Sequence, residues 1–347
     1  MNEGADTSYD PRHFPVMRDE VLDMAAPQDG EIFIDGTFGA GGYSRALLES
    51  ANCTVYAIDR DPSVQATADQ LAAEFPGRFH LLPGCFSQMD DLLKAAGVEK
   101  VDGVLLDIGV SSMQFDDAER GFSFQNDGPL SMRMSDEGLS AEDVVNDMAE
   151  DDLANVIYQY GEEKKSRRIA KVIVEVRSQG RITRTTQLAG IIEKAIGYKR
   201  YIKGKKQIHP ATRTFQALRI YVNDELGELE RGLVAAEHIL GPGGRLCVVS
   251  FHSLEDRIIK KFFKQASGDI PRGSRHLPQP KDRTGQAEQA PAFKMVVRGA
   301  VKPSRKEIEK NVRSRSAKLR CASRTDAAFR GGNKSRAGAG NKAGDKR

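Results

Sequence analysis

Residues 31–42, Glu-Ile-Phe-Ile-Asp-Gly-Thr-Phe-Gly-Ala-Gly-Gly, constrain the fold more than any other stretch. Ile32, Phe33 and Ile34 form a short apolar run ending on Asp35, as expected of a strand buried on both faces. Glycines then occupy four of seven positions, Gly36, Gly39, Gly41 and Gly42, where the backbone can reach positive φ and approach a ligand closely. A helix is predicted from Tyr43 to Glu49, then a second strand, Thr54–Ile58, ending in Asp59. Strand, glycine loop, helix, strand and acidic tip form the nucleotide-binding half of a doubly wound α/β sheet, with ligand at the carboxyl ends of the strands.

The spacing narrows the ligand. Gly36, Gly39 and Gly41 run G-x-x-G-x-G, not the G-x-G-x-x-G of the dinucleotide fingerprint. Asp35 directly precedes the first glycine, where a carboxylate is expected to face the ligand. It would repel a pyrophosphate seated on helix amides, but attract the ammonium and sulfonium of S-adenosyl-L-methionine. Asp59 suits the ribose hydroxyls of either cofactor.

The rest of the chain extends this plan. Strands are predicted at Arg78–Leu82 and Val101–Leu106, the latter ending on Asp107, with helices from Pro62 to about Ala73 and from Met89 to Ala96. The strand rhythm then stops. From Gln114 to His209 only helical periods occur, around residues 141–146, 152–158, 165–176 and 186–196. One long helix is expected over about 211–240, then a fifth strand at Arg245–Ser250 and a helix from Leu254 to Gln265. Ala292–Val297 is expected to pair with an earlier strand and form the antiparallel edge, and Ile270–Gln289, rich in Pro, Gly and charge, is read as a mobile loop. The resulting division is a disordered N-terminus (1–12), a core (13–113 and 210–300), a helical insertion for substrate recognition (114–209) and a basic, largely disordered C-terminal tail (301–347).

Charge is split along the chain. From Arg298 onward there are 16 Lys and Arg against 4 Asp and Glu, whereas the remainder is acidic, 36 against 45. A basic tail on an acidic body points to an anionic partner. Within the insertion, Lys164, Lys165, Arg167, Arg168, Lys171, Lys199, Arg200 and Lys203–Lys206 make the second half basic. Cys53, Cys85, Cys247 and Cys321 have neither metal nor redox spacing and read as small apolar residues in a reducing compartment. No run reaches membrane-span length, so a cytoplasmic protein is expected.

Two polar clusters carry candidate chemistry. After Asp107 come Ile108-Gly109-Val110-Ser111-Ser112-Met113-Gln114, at the strand tip that faces the reactive part of a cofactor in this architecture. Asp107 offers an acceptor to an amine, Ser111 and Ser112 short hydroxyls, and Gln114 an amide able to bond in either sense. After the fifth strand, Ser250-Phe251-His252-Ser253-Leu254-Glu255-Asp256-Arg257 combines an aromatic ring, a histidine and carboxylates, although Ser253 with Asp256 equally reads as a helix cap.

These segments resemble a known family. Asp35–Gly42, Ala57–Pro62, Leu105–Ser112, Asp116–Phe124, His209–Ile220 and Ser250–Arg257 are similar to motifs of the bacterial 16S rRNA cytosine-N4 methyltransferases, the RsmH (MraW) family, over roughly His13–Arg324. The resemblance implies a class I S-adenosylmethionine-dependent methyltransferase: Rossmann-like, mostly parallel, with an antiparallel edge and a helical insertion. It implies direct N4-methylation of a decoding-centre cytidine in small-subunit rRNA. Carried over by position, Gly41, Gly42, Tyr43, Asp59, Phe86, Asp107 and Gln114 would contact the cofactor, with Asp35 and Gly39 completing the loop. Asp107, Ser111, Ser112 and His252 are the catalytic candidates, with Phe122, Phe124 or Phe251 holding the base. No metal, DNA or membrane partner is expected, and a homodimer is left open. The family's usual His is here Tyr43, and its Pro before the glutamine is Met113. The alternatives are a DNA amino-methyltransferase, a non-catalytic assembly factor with a retained pocket, and an NAD-linked oxidoreductase.

Overall fold

The computed structural model describes residues 15–135, 137–197, 209–268 and 290–329. Expectations for residues 1–12, for Ile270–Gln289 and for Lys199–Lys206 lie outside these segments.

Continuous apolar runs become the inner strands. β1 (Ile32–Asp35), β2 (Thr54–Asp59), β3 (Phe79–Pro83), β4 (Val101–Asp107) and β5 (Leu240–Ser250) are parallel. β6 (Phe293–Met295) and β7 (Lys318–Arg324) complete a sheet in the order β3-β2-β1-β4-β5-β7-β6. β7 runs antiparallel to both β5 and β6, so the 293–295 edge strand pairs with a later strand and not with an earlier one as the sequence reading had it. The strand order reverses between β1 and β4, which opens a crevice above their carboxyl ends. One face, with Phe33, Val55, Leu105, Cys247 and Leu319, is covered by α1 (Arg18–Ala25), α2 (Gly42–Ser50) and α3 (Gln65–Glu74). The other, with Ile34, Ile58, Leu106 and Val248, packs on α4 (Met89–Ala95), α11 (Glu225–Ile239) and α12 (Ser253–Ala266).

The insertion leaves β4 through α5 (Ser112–Asp116) and builds α6 (Ala141–Asp147), α7 (Glu150–Gly161), α8 (Ser166–Arg177) and α9 (Thr185–Ile196). These share their own core of Leu130, Val144, Ile157, Ile173 and Ile192. The expected long helix is two. α10 (Ala211–Val222) adds Phe215 and Leu218 to the insertion core and packs on α7, while α11 returns to the sheet. The break falls at Asp224, whose φ of +47° no helix interior accepts, and Asn223 anchors it by donating to the Met132 carbonyl at 2.7 Å.

The largest departure is the C-terminal segment. The sequence reading placed 301–347 in a largely disordered tail, but α13 (Arg305–Lys310) and β7 are folded, and β7 lies inside the sheet. Its Leu319, Cys321 and Ala322 are buried, whereas its charges disguised the strand. Asp256 takes both Lys318 and Arg320 at 2.8 Å, and the Arg324 guanidinium is spent on the carbonyls of Ala292, Thr325 and Ala327. Three of the cations counted toward a solvated tail are therefore structural.

Candidate active site

A cleft of about 590 Å³ opens above β1, β2 and β4 and extends between the sheet and the insertion. Its floor is the glycine loop. Gly36 N–H donates to Leu105 O of β4 at 2.9 Å, and Phe38 N–H to Ile58 O of β2 at 3.1 Å, so the loop is stitched to both neighbouring strands. Gly39 and Gly41 have φ of +51° and +77°, a region that L side chains rarely adopt, which places glycine at both.

Asp35 does not face this cleft. It is fully buried; Oδ2 accepts from Ser44 N–H (3.1 Å) and Ser44 Oγ (2.7 Å), and Oδ1 from Thr37 N–H (3.3 Å). Burial lifts its pKa to about 6 against those bonds. Asp35 thus holds the first turn of α2 to the end of β1. The expectation that it meets the ligand is corrected, because Thr37 of the loop and Ser44 of α2 reach it first.

Asp59 does line the cleft, clamping the loop from β2 by accepting from Gly39 N–H at 2.8 Å and Asp61 N–H at 2.9 Å. Two bonds leave lone pairs on each oxygen for further donors, and burial raises its pKa. Phe86 sits on a 3₁₀ turn after β3 that α11 clamps, since Ser87 donates to Glu228 through N–H (2.9 Å) and Oγ (2.7 Å). Its ring rests on Gly232, where a Cβ would come within 2.4 Å of it.

Asp107 is the least satisfied group in the site. Its N–H donates to Thr37 Oγ1 at 2.7 Å, which fixes the tip of β4 over the loop. Its Oδ1 is shut away from solvent with no hydrogen-bond partner. Burial, reinforced by Asp35, Glu255 and Glu307, holds the carboxyl well above the usual range. An unpaired buried acceptor in a cleft is costly unless a ligand supplies the donor or the charge.

The turn after it is locked. Ser111 caps α5 by accepting from Gln114 N–H (3.2 Å), while Gln114 Oε1 accepts from Ser111 N–H (3.2 Å). Gln114 Nε2 donates to Asp61 at 2.6 Å, and Asp61 also takes both Arg120 guanidinium nitrogens. Ser111 and Gln114 are therefore wall residues whose polar atoms face one another. The backbone of Ser112 begins α5.

Tyr43 turns its side chain into the core, where the hydroxyl donates to Val16 O and burial raises the phenol pKa. It fastens the segment Pro15–Val16 along the cleft wall. Whatever an imidazole would offer a ligand at this position, Tyr43 leaves to the backbone.

His252 and Phe251 line the same cleft as Phe122, Phe124 and Asp107. The imidazole is committed to Glu255: Nδ1 accepts from Glu255 N–H at 3.4 Å, and Nε2 lies 2.9 Å from Glu255 Oε1 without hydrogen-bond alignment. Glu255 Oε2 in turn accepts from Phe251 and His252 N–H. With both nitrogens facing Glu255, His252 offers the cleft a ring face rather than a proton. Glu225, His252 and Glu255 are a group of metal-ligand type, with donor atoms within 4.8 Å of one another. Arg219 already holds Glu225 by two 2.8 Å bonds, and the other two residues form the cap of α12, so each has a structural occupation.

Several lining residues carried no sequence signal that singled them out: Thr37, Arg60, Arg219, Asn311 and Arg313. Asp61 and Arg120 stand within motifs already quoted, but their pairing across 59 positions shows only in three dimensions.

The chain is similar to known proteins over most of its length. Residues 10–325 match the MraW methylase family. A protein of Rhodospirillum rubrum named ribosomal RNA small subunit methyltransferase H is 55% identical over 314 residues, covering 90% of this chain and 94% of its own. Relatives of the same name from Hyphomonas neptunium (55% identity, 92% of this chain, 90% of theirs) and Parvibaculum lavamentivorans (53%, 94% and 93%) match to a similar extent.

Proposed function

This chain belongs to the MraW methylase family, and from that premise we propose that it methylates the exocyclic N4 of a decoding-centre cytidine in small-subunit ribosomal RNA, with S-adenosylmethionine as donor. It is an rRNA small-subunit methyltransferase by kinship. The observation that carries the chemistry is Asp107, whose buried Oδ1 lacks a partner at the tip of β4.

The cleft fits such a donor. Its floor is a glycine loop, Asp59 stands at the tip of β2 with spare acceptor capacity for ribose hydroxyls, and Asp107 supplies negative charge where a cationic group would be accepted. When bound, the donor supplies an electrophilic methyl carbon attached to a cationic sulfur. The chain's own residues do the rest. The amine of cytosine is a poor nucleophile because its lone pair is delocalised into the ring. Asp107, accepting an N4 hydrogen, draws the amine toward a pyramidal, nucleophilic geometry, and its raised proton affinity suits it to hold the proton that N4 loses. Phe122, Phe124 and Phe251, with the His252 ring, provide flat apolar surface for a base taken out of its stack. Catalysis on this reading is positioning and electrostatics rather than covalent chemistry.

The test uses small subunits lacking the modification, labelled S-adenosylmethionine and nucleoside mass analysis. N4-methylcytidine is the expected product. Methyl transfer to another atom, or none from folded protein that binds the donor, overturns the proposal.

A further inference from the structure

Between Val301, which bridges to Leu319, and β7 the chain makes an excursion over residues 302–317 that contains α13 and the 3₁₀ turn Val312–Ser316. It is held in place rather than loose. Glu307 Oε1 accepts from Met17 N–H at 2.7 Å, on the segment that Tyr43 anchors. Ser314 is fully buried and donates to Asn311 O at 2.7 Å. Arg313 pairs with Asp116 and lies over the Phe115 ring, 5.2 Å from its centroid. These ties bring Asn311 and Arg313 into the wall of the cleft that holds Asp107.

The charge of the excursion is unbalanced. It carries six Lys and Arg against Glu307 and Glu309, a net of +4. Lys302, Arg305, Lys306, Lys310 and Arg315 are exposed and have no ion pair among the described residues. Val312 stands among them with 68% of its surface exposed. The insertion carries no such excess. Over residues 114–209 it holds 16 Lys and Arg against 16 Asp and Glu. Arg167, Arg181 and Arg184 are each paired with a carboxylate, at 2.9, 3.0 and 2.8 Å. Cations already paired offer less to a phosphate than unpaired ones, because the local carboxylate must first be displaced.

We propose that the excursion 302–317 is an RNA clamp at the mouth of the cleft. Lys306, Lys310 and Arg315, which are exposed and unpaired, take phosphates of the strand whose base enters, and Arg313, paired with Asp116 over the Phe115 ring, positions the excursion against the cleft wall. A base extruded into the cleft leaves its own phosphate at the rim, beside the excursion that Arg313 ties to Phe115 and Asp116. Phosphate contacts fix position along the strand and release counterions, so they are read in salt dependence. The proposal rests on the reading that ribosomal RNA is the substrate.

The experiment compares wild type, Arg313→Gln and the double variant Lys306→Gln/Lys310→Gln on small subunits lacking the modification, between 50 and 200 mM salt. The double variant changes only exposed side chains without partners, so it folds as wild type does, which a thermal melt verifies. Both variants are expected to raise KM for the subunits by about tenfold. The double variant is expected to keep its calorimetric affinity for S-adenosylmethionine and to lose roughly 1.4 to 1.8 from the slope of log KM against log salt, 0.7 to 0.9 for each cation. Wild type that methylates while the double variant keeps both KM and slope overturns the clamp alone. Wild type that leaves the subunits unmethylated overturns the functional reading and the clamp with it.

Discussion

Arg120 of the insertion grips Asp61 of the cofactor half, Nη2 to Oδ2 at 2.8 Å and Nη1 to Oδ1 at 3.2 Å, while its Nη2 also donates to the carbonyls of Arg133 and Met134. Asp61 has 2% of its surface exposed and also holds Gln114, so this contact joins the insertion, the turn after β4 and the tip of β2. The Gln114 and Arg120 bonds keep the Asp61 carboxyl below its usual range despite burial.

Removing the guanidinium leaves a buried carboxylate short of its charge partner. Breaking a fully buried pair costs about 3–5 kcal/mol. Arg120 keeps 23% of its side chain exposed, which lowers the expectation for Arg120→Ala to about 2–3 kcal/mol in urea unfolding. Arg120→Lys recovers charge but not the paired bonds and should fall between. Because Gln114 loses its orientation together with Asp61, donor affinity measured by calorimetry should weaken in both variants.

Asp107→Asn should separate stability from activity. The native carboxylate is desolvated and faces Asp35, Glu255 and Glu307, so its ionised form is a burden on the empty fold. An amide of the same shape removes that burden, and the melting temperature should hold or rise by a few degrees. Turnover should nevertheless fall at least about a hundredfold, within the range for a lost proton-transfer group. The pH dependence follows from the sign of the shift. A carboxyl with a raised pKa is protonated at pH values where an ordinary one is charged, so the acidic limb of single-turnover rate should lie above the usual carboxylate range and vanish in Asp107→Asn.

Gly232 and Gly103 test packing in two places. A Cβ at Gly232 would meet the Phe86 ring at 2.4 Å, and one at Gly103 would meet the Phe33 ring at 2.1 Å. Overpacking of this kind costs about 1–3 kcal/mol. Both alanine variants should therefore unfold at lower urea. Phe86 lines the cleft and Phe33 does not, so Gly232→Ala alone should weaken donor binding in the folded protein.

The sequence exposes what is local. Ile32–Asp35, the glycine positions and Asp107 were readable because apolar runs and backbone-permissive residues announce a strand and a ligand loop within ten positions. Asp35 shows the limit: its place before Gly36 was visible, but Ser44 lies nine residues on and captures both its direction and its charge. His252 is a second case, since its capping bond with Glu255 competes with any role toward a base. Most hidden was β7, because Lys318, Arg320 and Arg324 look like solvent-facing cations until Asp256 and the carbonyls of Glu237 and Ala292 are brought to them from elsewhere in the chain.

That hidden strand gives the sharpest test of the architecture. Leu319 is fully buried on β7, between β5 and β6, and its neighbours belong to the same core as Phe33 and Leu105. In a disordered tail, Leu319→Ala would leave the unfolding curve unchanged. In an interior strand it removes a packed side chain from the sheet, at an expected cost of about 2–5 kcal/mol. Truncation after Ala300 is the harsher version: it deletes the partner of β5 over six register positions, Arg245 to Ser250, and strands Asp256 without Lys318 or Arg320. The truncated chain should fail to give a cooperative melt. Cooperative unfolding of that chain at the wild-type midpoint would return residues 301–329 to the solvent and remove β7 from the sheet.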